Sequence, residues 1–236
     1  MDIFKKIKVY ADGASLKEIP ALIEKFPLEG FTTNPTLMLQ EGVRDYLAFA
    51  HELLGQVRGK PVSFEVFADA FSEMRTQAIT LSKLAENVFV KIPVTNTLSQ
   101  SSAPLIRELT RDGVKINVTA VFTPQQIDAL LDSFTPGVPG IVSIFAGRIA
   151  DAGVDPGPII QHGLRRFEAL PDVEILWASC REIYNVAQAA DVGCHIVTVP
   201  LSMLGKLATF GKDLTEFSLD TVKMFRKDAV ASGFSI

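Results

Sequence analysis

Eight short β-rich runs alternate with helical patterns along 236 residues, and no Gly/Ser-rich linker interrupts them. This alternation predicts an α/β fold in one domain spanning residues 1–236: a closed (β/α)8 TIM barrel followed by a surplus C-terminal helix. The rival, an open doubly wound sheet, usually carries a Gly-rich nucleotide turn after its first strand. Here that turn reads Asp12-Gly13-Ala14-Ser15, which is no such fingerprint. The eightfold count favours closure, in a chain somewhat compact against the usual ~250 residues.

The candidate strands cover residues 8–12, 30–34, 62–68, 88–94, 115–122, 141–147, 173–179 and 195–200. The first helix is predicted over 15–25, where Leu16, Ile19, Leu22, Ile23 and then Phe26 recur at the 3.6-residue period. A serine cap followed by Glu73 starts a helix over 72–84. Thr123-Pro124 opens one over 125–131, with proline in its first turn, and Asp155-Pro156 opens one running to about Leu170. Beyond the eighth strand, residues 215–232 form the surplus helix, with Phe217, Leu219, Val222, Phe225 and Val230 apolar. It is expected to pack on the barrel or on a neighbouring subunit.

Composition removes other classes. Hydrophobic residues are 47% and charged residues 21%, as in a compact protein rather than a disordered one. A net charge of -4 argues against nucleic-acid binding, which usually needs a basic face. It leaves room for an anionic small substrate, because a few local arginines outweigh a weak global field. No uncharged apolar run approaches the ~20 residues of a membrane span, so no membrane partner is expected. Cys180 and Cys194 offer no disulfide framework, and His51, His162 and His195 lack metal-ligand spacing. Met1-Asp2-Ile3-Phe4-Lys5-Lys6 lacks the apolar core of a signal peptide, and a cytoplasmic setting is expected.

Strands covered on both faces should read as nearly continuous apolar runs, yet several carry single polar residues. Lys91 interrupts Val88-Phe89-Val90-Lys91-Ile92-Pro93-Val94, and Glu65 interrupts Val62-Ser63-Phe64-Glu65-Val66-Phe67. Asp12 and Asn34 end the first two strands, Asn117 and Thr119 lie two apart on the fifth, and Ser143 and Phe145 two apart on the sixth. Trp177 and Ser179 are two apart on the seventh. Residues two apart share a face. If Lys91 points inward, the same parity places Glu65, Asn117, Thr119, Ser143 and Ser179 inside. An unpaired buried ammonium is costly, so an inward lysine reads either as a nucleophilic amine or as half of an ion pair with Glu or Asp. Arg148 and Arg181 follow the sixth and seventh strands, at the carboxyl ends where barrel active sites lie. With Ser179 they form an anion site; singly, they read as surface arginines paired with Asp151 or Glu182. An amine, an Asp and a Glu in one barrel mouth, with an anion site on the rim, point to a carbonyl substrate bearing a phosphate.

These residues resemble the transaldolase family, in particular its small single-domain branch that includes fructose 6-phosphate aldolases. The matching segments are Tyr10-Ala11-Asp12, Gly30-Phe31-Thr32-Thr33-Asn34-Pro35, Phe64-Glu65-Val66, Val90-Lys91-Ile92-Pro93, Asn117-Val118-Thr119-Ala120-Val121-Phe122, Ser143-Ile144-Phe145-Ala146-Gly147-Arg148-Ile149 and Ala178-Ser179-Cys180-Arg181. The resemblance implies a (β/α)8 barrel needing no cofactor or metal, acting on sugar phosphates. It implies Lys91 as Schiff-base lysine, Asp12 as the acid/base of carbon–carbon cleavage, and Glu65 with Thr119 as the pair that positions the water of dehydration. Thr33, Asn34, Asn117 and Ser143 would hold the dihydroxyacetone moiety, and Arg148, Ser179 and Arg181 the phosphate. Aldolase members tend to carry Gln in place of Glu65 and Tyr in place of Phe145, so both residues fit transfer better than release. Two segments depart from the family: 94–101 lacks its usual Glu-Gly pair, and Asp12-Gly13 replaces Asp-Thr or Asp-Ser. Catalytically silent sugar-phosphate binding stays open as another class. With the surplus helix, the resemblance implies a homo-oligomer, pentameric or decameric, in which Phe217, Leu219, Phe225 and Phe234 bury against a neighbouring barrel.

Overall fold

The computed structural model describes residues 3–233. Eight parallel strands close in chain order: β1 (Lys8–Asp12), β2 (Gly30–Thr32), β3 (Val62–Glu65), β4 (Val88–Pro93), β5 (Ile116–Val121), β6 (Gly140–Ile144), β7 (Val173–Trp177) and β8 (Ile196–Pro200), with β8 paired back to β1. Helices fill the connections: α1 (Ile19–Lys25), α2 (Pro35–Gln40), α3 (Tyr46–Gln56), α4 (Phe71–Ser82), α5 (Ala103–Arg111) and α6 (Pro124–Ala129). The second half adds α7 (Ala146–Asp151), α8 (Gly157–Arg166), α9 (Asn185–Asp191), α10 (Leu201–Leu204) and α11 (Leu214–Ser232). This is a (β/α)8 TIM barrel with an extra C-terminal helix.

The eight strands lie where the sequence predicts them, but most stop short. β2 ends at Thr32 because Asn34 leaves the sheet to cap α2, its side chain accepting from the Leu37 amide. β6 ends at Ile144 because Phe145 becomes the N-terminal boundary of α7. The helix expected from residue 15 begins at Ile19, after a turn closed by Ser15. The stretch over 125–131 divides into α6, held by a Thr123–Gln126 capping box, and a 3-10 turn at Leu131–Ser133. The helix opened by Pro156 ends at Arg166 rather than near Leu170.

Alternation along the strands makes two cores. Outward residues such as Val90, Ile92, Ile116 and Val118 pack against the helices and are fully buried. Inward, Tyr10, Phe89, Ile141, Leu176 and Ile196 form a separate cluster that plugs the N-terminal half of the barrel. Burying each large apolar side chain favours the fold by about 1.5–3 kcal/mol. Gly30 belongs to this plug, since a Cβ there would lie 2.4 Å from the Tyr10 ring. Each inward apolar residue is followed two positions later by a polar or small one: Asp12 after Tyr10, Lys91 after Phe89, Ser143 after Ile141, Thr198 after Ile196. The plug is therefore the floor of a polar layer facing the C-terminal mouth.

Candidate active site

Strand register builds the centre of this layer. Glu65 of β3 pairs with Lys91 of β4, which pairs with Asn117 of β5. Lys91 is 5% exposed. Its Nζ donates to the Thr33 carbonyl at 2.7 Å and lies 3.1 Å from Glu65 Oε2. The ammonium is thus buried but partnered. Tyr46, on α3, donates its hydroxyl to the Glu65 carbonyl at 2.7 Å and fixes the end of β3. On the other side of the mouth, Asp12 of β1 is register partner to Thr32 of β2. Thr32 Oγ1 donates to Asp12 Oδ1 at 2.7 Å. Burial raises the Asp12 carboxyl above the ordinary carboxylate range; the Lys91 charge and the Thr32 hydrogen bond pull it back, and Glu65 pushes it up.

Asn117 is held at both ends of its amide. It donates to Ser63 Oγ at 3.0 Å and accepts from Ser143 Oγ at 2.7 Å. Thr119, also buried, differs: its Oγ1 has no protein hydrogen-bond partner. The β5–β6 register shifts between Val118 and Val121, and Ala120 takes a left-handed backbone at φ 58°. This bulge re-aims the end of β5, a common device beside active sites.

Arg148, Ser179 and Arg181 gather at the ends of β6 and β7. A Cβ on Gly147 would lie 1.6 Å from the Ser179 carbonyl oxygen, so only glycine allows the two loops to meet. That contact sets Arg148 beside Ser179 and Arg181. Arg181 donates through Nε and Nη2 to Asp151 Oδ2 at 2.9 and 2.5 Å, so Asp151, not Glu182, is its acidic partner. The Arg148 guanidinium lies 5.8 Å from the Phe145 ring centre.

A cavity of about 520 Å³ opens over this layer, lined by Asp12, Asn34, Glu65, Lys91, Thr119 and Ser143, and toward the rim by Phe145, Arg148, Ser179 and Arg181. Two sequence candidates are not on its wall. Thr33 is fully buried with its hydroxyl donating to the Ser63 carbonyl, and it meets Lys91 through its backbone oxygen. Asn117 lies behind Ser143. Ser179 reaches the cavity, but strand parity is not the reason. Leu176 of β7 and Ala178, the residue just past the strand, belong to the inner cluster, and Trp177 packs in the outer core. Ser179 follows the strand with a left-handed backbone at φ 66°, which breaks the alternation. Cys180 packs in the outer core and also touches the cavity wall; burial, then the Asp12 carboxylate, pushes its thiol up to about 12. Sequence reasoning missed Thr32 and Thr198, both on the cavity wall, and Ser63 beneath it. Their signal was available, since Thr198 is a lone hydroxyl in Ile196-Val197-Thr198-Val199, the pattern that singled out Lys91. Among the described residues, no group of three or more His, Cys, Asp or Glu side chains converges as a metal site. Nor is any described helix long and apolar enough to cross a membrane.

Fold and site define the class: a (β/α)8-barrel protein organised around an interior lysine paired with one carboxylate, with a second carboxylate on the same cavity wall. Comparison supplies the family. Residues 9–236 match the model of the Transaldolase/Fructose-6-phosphate aldolase family. A "Probable transaldolase" of Chelativorans sp. (strain BNC1) is 36% identical over 225 residues, covering 94% of this chain and 99% of the relative. Another, of Rhizobium meliloti (strain 1021), is 36% identical over 227 residues, covering 94% and 100%. The chain belongs to the transaldolase/fructose-6-phosphate aldolase family. Among solved structures, the tryptophan synthase A-subunit of Pyrococcus furiosus superposes with a TM-score of 0.56 at 13% identity, covering 90% of this chain and 94% of that one; the likeness is one of fold alone.

Proposed function

We propose that this protein is a Schiff-base transaldolase, moving a dihydroxyacetone unit from a ketose phosphate such as fructose 6-phosphate or sedoheptulose 7-phosphate to an aldose phosphate. One observation carries the reading: a buried lysine amine faces a substrate-sized cavity with one carboxylate at its nitrogen and a second carboxylate across the mouth. Glu65 takes the ammonium proton, and the freed Lys91 amine adds to the C2 carbonyl. Loss of water from the carbinolamine leaves an iminium; the unpartnered Thr119 hydroxyl and Glu65 are suited to hold that water. Asp12 then accepts the C4 hydroxyl proton. The C3–C4 bond breaks, its electrons move into the iminium to give an enamine, and an aldose phosphate departs. Addition of the enamine to an acceptor aldehyde reverses these steps: Asp12 returns its proton to the new alkoxide, and water releases the ketose product. Arg148, Ser179 and Arg181 suit the phosphate end by charge-assisted hydrogen bonds.

Transfer rather than release is favoured by Phe145. Its ring lines the cavity against Phe122, with centroids 5.7 Å apart, and has no proton to give to the enamine. The enamine therefore persists until an acceptor arrives. The test measures free dihydroxyacetone formed from fructose 6-phosphate without acceptor. The unsubstituted protein is expected to release little, and Phe145→Tyr to release about tenfold more, a change needing only ~1.4 kcal/mol between the two barriers. Release as fast as transfer in the unsubstituted protein would assign the aldolase activity instead.

A further inference from the structure

Asp12 is not served by Thr32 alone. Thr32 on β2 and Thr198 on β8 flank β1 on opposite sides, and their hydroxyl oxygens lie 2.6 Å apart. Both side chains are buried, at 2% and 4% exposure, and both line the cavity. A threonine hydroxyl has one proton and two lone pairs, whereas an ionised carboxylate only accepts. With Asp12 ionised, the Thr32 proton is committed to Asp12 Oδ1, so the contact between the two threonines has one direction: Thr198 donates and Thr32 accepts.

We propose that Thr198 is a positioning residue for Asp12, acting through Thr32 in a hydroxyl chain that runs from β8 across β1 and stabilises the carboxylate as a base. The proposal rests on the transaldolase reading, because it assumes that Asp12 accepts the proton in carbon–carbon cleavage. Accepting from Thr198 polarises Thr32 and makes it a stronger donor to Asp12. The chain also leaves Thr198 Oγ1 with lone pairs and no spare proton, so any further partner it takes from the cavity must be a donor, such as a sugar hydroxyl. Among the described residues, the other charged or titratable groups that act on Asp12 are Lys91 on β4, Glu65 on β3 and Cys180 after β7, and none of them belongs to the hydroxyl chain.

Thr198→Val removes the hydroxyl and keeps the shape, and Thr198→Ser keeps the hydroxyl. In Thr198→Val, turnover of fructose 6-phosphate with an acceptor is expected to fall about three- to tenfold, the size of one neutral hydrogen bond. The acidic limb of its kcat profile is expected to move to higher pH, and borohydride trapping of the ketose on Lys91 to persist. Thr198→Ser is expected to restore both rate and limb. A limb and rate unchanged in Thr198→Val would overturn the proposal, as would a fall in rate with no movement of the limb. Absence of a Lys91 adduct in the unsubstituted protein would instead overturn the Schiff-base reading, which keeps the two failures distinct. If Thr198→Val does not fold, Thr198→Ala against Thr198→Ser makes the same comparison.

Discussion

Asp12 carries a cost that its neighbours only partly offset. A buried carboxylate is disfavoured relative to water, and the Thr32 hydrogen bond and the Lys91 charge return part of that cost. Two outcomes follow. As a base, Asp12 must be ionised, so the acidic limb of turnover is expected above the ordinary carboxylate value of about 3.9. As a folding element, its raised pKa favours the native state most at low pH, where the group is neutral in both states. That advantage is lost as pH rises from 3.8 through the native value. Asp12→Asn should therefore melt at a higher temperature than the unsubstituted protein at pH 7, with the gain shrinking as pH falls toward 4; an equal or lower melting temperature at pH 7 would contradict this. Asp12→Ala is expected to lose ~10²–10⁴-fold of turnover while still trapping ketose on Lys91, because in the proposed mechanism the acid/base step follows iminium formation. At this scale much of the site was legible. Polar residues inside apolar strands are rare enough to mark Lys91, Glu65 and Asp12. Thr33 is named by the resemblance for its side chain, but it meets Lys91 through a backbone oxygen, which no side-chain pattern reports. Thr198 interrupts its strand as Lys91 does, but the signal is weaker, because a threonine in a strand is common and its hydroxyl is cheap to bury when paired.

Elements were read well where a period was long and poorly where a strand hands over to a helix. Strands β1 to β8 fall on the predicted segments because Val, Ile and Phe suit a sheet covered on both faces. The carboxyl ends of β2 to β7 stop before the hydrophobic pattern does, because there the chain must turn and the backbone decides. Ser179 and Ala120 show the effect: left-handed conformations at φ 66° and 58° redirect the chain and break the period of two that parity arguments assume. Gly147 is the matching constraint on the facing loop. Its missing Cβ admits the Ser179 carbonyl, and through that contact the two arginine-bearing loops are set side by side. Because the obstacle is backbone rather than a movable side chain, Gly147→Ala should destabilise the fold by at least ~1–3 kcal/mol. If it folds, it should also weaken binding of inorganic phosphate and raise KM for phosphorylated sugars. Denaturant titration and phosphate competition check both; unchanged stability would mean that the loops are not locked by this contact.

At the scale of the whole molecule, the C-terminal helix stands out among the described residues for how little of it is covered. Helix α11 buries none of its side chains against its own barrel, and Leu214, Leu219, Val222, Phe225 and Val230 are each more than half exposed. Phe217, at 43%, is only partly covered, with Lys212 over its ring. Phe234, named with this surface from the sequence, lies outside the described residues. The amphipathic pattern announced the helix but not whether its cover is intramolecular. An amphipathic helix whose apolar residues are left exposed by its own barrel favours the second alternative, a neighbouring copy. The protein is therefore expected to run as a homo-oligomer in light scattering at micromolar concentration, and Leu219→Glu with Phe225→Glu to shift it toward the monomer. A monomeric unsubstituted protein would refute this.

The central claim, that a barrel lysine forms a covalent iminium with a ketose phosphate, has a direct test. The protein is incubated with fructose 6-phosphate, reduced with borohydride, digested and mapped by mass spectrometry. The predicted result is one stable adduct, on Lys91, absent from Lys91→Ala, which should also be inactive. A protein that turns over the ketose yet yields no adduct, or yields one on a lysine other than Lys91, would contradict the mechanism.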